Sequence, residues 1–126
     1  MTDLLLHFPP SNHNAAQLRA AIRFWSDWEN LSSDIQNDAL LVVSELFSNA
    51  VRSSPIDSQI EVSLQHTSAT VMVRISNTGP GFDPAVLLPP TFESRRGRGL
   101  AIAGALGQLR VDQFEDRTTV QVELRT

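Results

Sequence analysis

Two polar side chains stand inside a largely apolar stretch of the sequence and could take part in phosphoryl chemistry. Glu45 and Asn49 are four residues apart, so on a helix they would share one face, about one turn from each other. An asparagine amide oxygen suits Mg²⁺, which takes oxygen ligands, and a glutamate could accept a proton from an attacking hydroxyl or water. An isolated pair with this spacing is more often a solvated helix edge, but most residues from Leu40 to Phe47 are apolar.

Two glycine pairs follow further along the chain. Gly79-Pro80-Gly81 ends a segment of alternating polarity, where it is either a simple turn or a place for a ligand to approach the backbone closely. Gly97-Arg98-Gly99 precedes an apolar run and would open a helix whose first N–H groups could bind phosphate. Arg95, Arg96 and Arg98 could add charge-assisted bonds to the phosphates, although three loop arginines are more often simply solvated.

Composition excludes several other classes of protein. The 126 residues suit one domain, and a net charge of −4 argues against a nucleic-acid-binding module. The sequence has no lysine, which excludes a P-loop, and no cysteine, which excludes disulfides, thiolate metal sites and a cysteine nucleophile. No apolar stretch approaches the ~20 residues of a membrane span, and we expect a cytoplasmic protein with no membrane or nucleic-acid partner.

Hydrophobic periodicity predicts which elements position these residues. A strand at 4–8 precedes a helix that Asn12 or Asn14 would cap and that runs to about Asn30. Ser32 or Ser33 would cap a second helix, which stops before Pro55. The apolar stripes are Leu18, Ala21, Ile22, Trp25 and Trp28 in the first helix, and Ile35, Ala39, Val42, Leu46 and Ala50 in the second.

The later part of the chain predicts strands around two loops and a third helix. Alternating runs lie at 60–64, 71–75, 109–114 and 118–124, a proline-rich loop covers 83–96, and a helix follows from 97 to about 106. Strands outnumber helices and occur in adjacent pairs. We therefore predict an α+β fold, a two-layer α/β sandwich whose mixed, mainly antiparallel sheet carries its helices on one face.

The ordered motifs resemble the N, G1 and G2 boxes of the GHKL (Bergerat-fold) ATPase superfamily. The resemblance is carried by residues 41–52, 75–84 and 97–103, and by Thr118-Thr119-Val120 in the last strand. Within that superfamily the motifs look like those of the anti-sigma-factor serine/threonine kinase family of bacterial partner-switching systems. The resemblance spans nearly the whole chain and implies a single histidine-kinase-like ATPase domain over 1–126, with residues 83–96 as the ATP lid.

The resemblance also implies ATP and Mg²⁺ as cofactors and a role for each matching residue. Glu45 would be the catalytic base and Asn49 the Mg²⁺ ligand. The other nucleotide-binding residues would be Asn77, Gly79, Gly81 and Thr118 at the adenine side, and Arg95, Arg96, Gly97, Arg98, Gly99 and Leu100 at the phosphate side. Proteins of this family bind a sigma factor and phosphorylate a small, STAS-like antagonist domain. They are usually homodimers, and Trp25 or Trp28 could mark an apolar patch for that contact.

One position departs from the family pattern. Asn77 stands where the family has an aspartate that accepts a hydrogen bond from the adenine amino group. A neutral acceptor contributes less than a charged one, so affinity would fall about five- to thirtyfold; if the amide presented its NH₂ group, binding could fail. Asparagine before a glycine turn is also common for turn geometry alone.

Three functions remain open at this stage. The chain could be an active kinase and anti-sigma factor, or a non-catalytic interaction module that lost nucleotide binding through Asn77. A sensor histidine kinase ATPase domain ranks last, because the sequence shows no dimerising hairpin with a phospho-acceptor histidine. His7, His13 and His66 lie in unsuitable contexts.

Overall fold

The computed structural model describes residues 2–79 and 107–126. Within these two ranges the chain forms five strands, two α-helices and one 3₁₀ turn. The elements are β1 (Leu4–Phe8), the 3₁₀ turn (Asn12–Asn14), α1 (Ala15–Trp28), α2 (Ser33–Ser53), β2 (Ile60–His66), β3 (Thr70–Thr78), β4 (Gln108–Phe114) and β5 (Arg117–Arg125). The predicted lid at 83–96 and the predicted helix from 97 to about 106 lie outside the described residues.

The five strands form one sheet in the order β1-β2-β3-β5-β4, and each pairing of neighbours among them is antiparallel. Alternate side chains of β2, β3 and β5 are buried in the core that the helices cover. The opposite positions are mostly polar, as expected for a sheet with one solvated face. This architecture confirms the predicted α+β fold, and the described strands supply its antiparallel part.

Helix α2 begins and ends where the sequence signals predicted. The Ser32 hydroxyl accepts a hydrogen bond from the backbone N–H of Ile35 at 3.3 Å, and Asp34 lies in the first turn, where a negative charge is favourable. Ser54, in an extended conformation before Pro55, ends the helix. The inner face carries Ala39, Val42, Val43, Leu46, Phe47, Asn49 and Ala50, all buried.

Helix α1 differs from its prediction in two respects. Asn14 occupies the N-cap position, but its amide donates to the carbonyl of Pro9 at 3.0 Å instead of capping α1. The Ser11 hydroxyl caps the preceding 3₁₀ turn. Trp25 is buried and donates its indole N–H to the carbonyl of Thr2 at 2.6 Å, whereas the side chain of Trp28 is 67% exposed. The inward-facing prediction was therefore wrong for Trp28.

In the part of the chain that the structure describes, no helix is both long and apolar enough to cross a membrane.

Candidate functional site

Asn77 lies near the end of β3, on the face of the sheet that packs against α2. Its side chain is 3% exposed, and Nδ2 donates to the carbonyl of Thr78 at 3.3 Å and to the hydroxyl of Ser53 at 3.5 Å. A carbonyl oxygen only accepts, so the amide atom that faces Thr78 has to be the nitrogen. The amide of Asn77 is therefore oriented with Nδ2 toward Thr78 and Ser53, and with Oδ1 on its other side.

Thr118 lies directly opposite Asn77 in the register of β3 and β5. Its side chain is 1% exposed, and Oγ1 has no hydrogen-bond partner among the described residues. A buried hydroxyl without a partner costs about 1–3 kcal/mol of stability, so it calls for an explanation such as strain, a bound water or ion, or a ligand. A polar ligand atom beside Asn77 would provide the missing partner.

Gly79 brings the end of β3 against the end of α2. Its backbone has φ +145°, and a Cβ at this position would lie 2.5 Å from the carbonyl oxygen of Ser53. Only glycine combines that conformation with such a close approach. The N–H of Gly79 donates to the carbonyl of Asp116 at 2.6 Å, which ties the turn to the start of β5.

Asn49 lies on the inner face of α2 and is 4% exposed. Its Oδ1 accepts a hydrogen bond from the guanidinium of Arg52, and its buried Nδ2 has no partner in the described part of the chain. The hydroxyl of Ser53 donates to the backbone carbonyl of Asn49 at 3.0 Å while accepting from Asn77. Ser53 therefore links the two predicted site residues, a contact that its position in the sequence does not signal.

Glu45 is half-buried and lines a cavity of about 360 Å³ between the start of α1 and the middle of α2. The other lining residues are Asn12, Ala15, Arg19, Ser44, Phe47, Ser48 and Arg52. Arg19 and Arg52 thus bring positive charge to the same cavity that Glu45 lines. Neither arginine could be selected from the sequence, because an arginine on an amphipathic helix carries no signal that separates it from a solvated one.

The amide oxygen of Asn49 is a suitable ligand for a magnesium ion that is held jointly with a nucleotide. Mg²⁺ is commonly bound by one or two protein oxygens together with substrate phosphates and several waters. Asn49 offers one neutral oxygen, Oδ1, in a buried position where an ion would be shielded from solvent. The unpartnered Nδ2 shows that the polar surroundings of this amide are incomplete in the described chain alone.

Residues 11–124 match the family described as the histidine kinase-like ATPase domain. The chain belongs to this family. The match covers most of the sequence, includes α2, β3 and β5, and confirms the resemblance to GHKL ATPases. A comparison with curated proteins found none that matches this chain.

Several solved structures share the fold of this histidine kinase-like ATPase domain. The RsbU and RsbW domains of a Mycobacterium tuberculosis protein match with a TM-score of 0.74 and 18% identity over 99% of this chain, which spans 32% of that one. The SiaB–SiaC complex of Pseudomonas aeruginosa matches with a TM-score of 0.75 and 16% identity, covering 96% of this chain and 88% of that one. Histidine kinase AdeS of Acinetobacter baumannii follows with a TM-score of 0.60 and 16% identity over 99% and 68% of the two chains.

The structure brings together only part of the predicted site of this ATPase domain. Asn49, Asn77, Gly79 and Thr118 converge at one end of the sheet beneath the end of α2, whereas Glu45 lines the cavity beside α1. The remaining predicted residues lie outside the described ranges, and their roles stay predictions: Gly81, Arg95, Arg96, Gly97, Arg98, Gly99 and Leu100.

Proposed function

We propose that this chain binds Mg-ATP and phosphorylates a serine or threonine of a small, STAS-like antagonist domain, and that it binds a sigma factor as its other partner. The observation that carries the proposal is the group of buried polar side chains from Asn49, Asn77 and Thr118, at the end of an otherwise apolar face. Two of their atoms have no partner among the described residues. Membership of the histidine kinase-like ATPase family supports a nucleotide as the missing partner.

In this proposal the adenine lies against β3 and β5. The amino group of adenine donates to Oδ1 of Asn77, and the hydroxyl of Thr118 forms a hydrogen bond at the same end of the pocket. Gly79 has no side chain, so the end of β3 can lie against the carbonyl of Ser53 and close this end of the proposed adenine pocket. Asn49 would hold Mg²⁺ through Oδ1, and the bound ion would neutralise and orient the phosphates.

In the same proposal Glu45 is the base that accepts the proton of the acceptor hydroxyl. Its carboxylate borders an open cavity that a serine-bearing loop of a protein substrate could enter. The carboxylate takes the hydroxyl proton, and the hydroxyl oxygen forms a bond to the γ-phosphorus. The bond from that phosphorus to the β–γ bridging oxygen breaks, and ADP leaves.

The comparisons support protein partners without identifying them. One neighbour is an RsbW domain in a chain that also contains RsbU, and another was solved as the SiaB–SiaC complex.

For this chain we propose a homodimer through the exposed aromatic side chains of Phe24 and Trp28 on α1. Sedimentation velocity tests this contact: the double variant Phe24→Ser, Trp28→Ser should sediment as a monomer at concentrations where the native chain is dimeric, while Phe114→Ser should not change the dimer.

A non-catalytic interaction module is the second candidate. Two observations favour it: Asn77 offers an uncharged acceptor, and Oδ1 of Asn49 is already bonded to Arg52. Under this alternative the fold and the partner surface persist, and the polar pocket does not bind nucleotide.

Calorimetry and a phosphotransfer assay distinguish the two candidates. The kinase proposal expects Mg-ATP to bind and Mg-GTP to bind much more weakly, because guanine presents a carbonyl where adenine has its amino group. It also expects labelled γ-phosphate to reach an antagonist domain with the native chain and at least a hundredfold more slowly with Glu45→Gln, which removes the base. Absence of ATP binding would contradict the proposal and favour the interaction module.

A further inference from the structure

Arg52 holds the one atom of Asn49 that a metal ion could bind. The two residues are three apart on α2, which places their side chains side by side on the helix surface. One guanidinium nitrogen donates to Oδ1 of Asn49, and the other terminal nitrogen donates to the hydroxyl of Ser48 at 3.1 Å. The side chain of Arg52 therefore reaches from the exposed edge of α2 to the buried amide.

This contact fixes the orientation of the Asn49 amide. A guanidinium has donors and no acceptor, so the amide atom that faces it must be the oxygen. The nitrogen, Nδ2, then points into buried space without a partner in the described chain. Since an amide nitrogen does not ligate Mg²⁺, the oxygen that Arg52 occupies is the only side-chain atom of Asn49 open to the ion.

Binding of Mg²⁺ and binding of the guanidinium to that oxygen compete with each other, because both groups are cations and the site is buried. Repulsion between two positive charges is strong where water does not screen them. Arg52 also lines the 360 Å³ cavity beside Glu45, so its side chain borders open space that it could enter on leaving Asn49. The contact can therefore exist in two states, one with Arg52 on Asn49 and one with the ion there.

We propose that Arg52 competes with Mg²⁺ for Oδ1 of Asn49 and thereby sets how strongly nucleotide binding depends on the metal. The inference rests on the proposed function, since it requires ATP to bind beside Asn49. Arg52 acts here as a positioning residue: it holds the metal ligand when the ion is absent and releases it when the ion binds. Breaking a hydrogen bond to a charged donor on each binding event lowers the apparent affinity for the ion.

The test measures the dissociation constant of ATP by calorimetry in EDTA and in saturating Mg²⁺. The constant in EDTA divided by the constant in Mg²⁺ gives a ratio that rises as the metal strengthens nucleotide binding. This ratio reports the coupling between metal and nucleotide and does not depend on catalysis. In Arg52→Met the oxygen is no longer occupied, so the ratio should exceed that of the native chain by about tenfold or more. Arg52→Gln, which keeps a polar side chain on α2, should show the same direction of change.

Arg19→Met is the matched control. It removes one positive charge from the same cavity. Arg19, however, lies on α1, and the guanidinium bonded to Asn49 is that of Arg52. If Arg19→Met raises the ratio as much as Arg52→Met does, the effect comes from net charge and direct competition is wrong. Circular dichroism confirms that each variant folds before its binding is compared.

The remaining outcomes separate the two proposals. Binding of ATP with equal ratios in the native chain and in both Arg52 variants would overturn the competition while leaving the proposed function intact. Failure of ATP to bind to any variant, with or without Mg²⁺, would overturn the proposed function and the competition together.

Discussion

The amide of Asn77 affects folding and ligand binding in opposite ways. In the folded chain Nδ2 donates to the carbonyl of Thr78 and to the hydroxyl of Ser53, so the amide closes polar contacts that a carboxylate could not make. Toward the adenine amino group, however, a carboxylate would be the stronger acceptor because its oxygen is charged. The amide of Asn77 thus favours the ligand-free fold, whereas a carboxylate at position 77 would favour the complex with a nucleotide.

Replacing Asn77 by aspartate should separate these effects. We expect Asn77→Asp to bind Mg-ATP about five- to thirtyfold more tightly, because a charged hydrogen bond replaces a neutral one. Without nucleotide its free energy of unfolding should fall by about 1 kcal/mol or more, since a carboxylate would face the Thr78 carbonyl and could not donate to it. Calorimetry measures the first change and urea denaturation the second.

Asn37→Asp provides the charge control for this prediction. Asn37 is exposed on α2, so the same added charge there should change neither the ATP affinity nor the stability by more than a few tenths of a kcal/mol. Weaker ATP binding in Asn77→Asp than in the native chain would show that Asn77 does not accept from adenine.

Thr118 offers a second test at the level of one atom. Thr118→Val keeps the side-chain shape and removes a buried hydroxyl that has no partner among the described residues. The free energy of unfolding without nucleotide should therefore stay the same or rise by about 1 kcal/mol. The ATP affinity should fall by about three- to tenfold, because the complex loses one hydrogen bond.

The neighbouring threonine is the natural control. The hydroxyl of Thr119 forms a hydrogen bond with the hydroxyl of Ser76 at 2.8 Å on the other face of the sheet. Thr119→Val should thus lower the free energy of unfolding by about 1 kcal/mol and leave ATP binding unchanged. If both variants lost stability equally and bound ATP equally, the hydroxyl of Thr118 would have no special role toward a ligand.

At the scale of secondary-structure elements, the junction between β3 and α2 brings Asn77 close to Asn49, because Ser53 forms a hydrogen bond with each of them. Gly79 makes that junction close, since its φ is +145° and the Ser53 carbonyl lies where a side chain would begin. Gly79→Ala should therefore cost about 2 kcal/mol or more of folding free energy, through backbone strain and displacement of the end of α2.

Urea denaturation measures the stability of Gly79→Ala, with Thr78→Ala as the control. Thr78 is half-buried at the adjacent position and has ordinary strand geometry, so its truncation should cost less than half as much. An alanine at 79 that left both stability and ATP affinity unchanged would show that the turn relaxes easily and that glycine is not required there.

In the ranges that the structure describes, secondary structure was largely predictable because local signals and burial agreed. The cap at Ser32, the stop before Pro55 and the alternation in β2, β3 and β5 each reflect local chemistry that also suits the fold. Two details of α1 were not predictable from periodicity. Asn14 uses its amide on the Pro9 carbonyl, and Trp28 extends past the edge of the core although its spacing places it on the apolar stripe.

The sequence predicted residues that the structure brings together beneath the end of α2, but not the hydrogen bonds that connect them, and their role toward a nucleotide stays a prediction. The spacing of Glu45 and Asn49 placed both on one helix, and the structure then puts the glutamate on a cavity and the asparagine in the interior. The bonds from Arg52 to Asn49, and from Asn77 to Ser53, depend on side-chain conformations and on the approach of β3 to α2. Neither follows from sequence spacing, because each requires the packed fold.

At the scale of the whole molecule, the buried polar side chains of the proposed site come together only when distant parts of the chain meet. Asn49, Asn77 and Thr118 come from α2, β3 and β5, and the sheet order places β5 directly beside β3 although β4 precedes it in sequence. The unfolded chain does not hold these three side chains together. A nucleotide that needs all three should therefore bind the folded state and not the unfolded one.

This selectivity predicts a quantitative link between ligand concentration and stability. Above the dissociation constant, each tenfold increase in free Mg-ATP should raise the free energy of unfolding by about 1.4 kcal/mol, whereas Mg-GTP should raise it far less. Urea denaturation over several nucleotide concentrations measures the slope. Thr118→Val should show the same slope displaced to higher concentration, because the substitution weakens binding without creating a site in the unfolded chain. A stability independent of Mg-ATP would mean that the converging side chains serve the fold alone, since binding to the folded state must stabilise it.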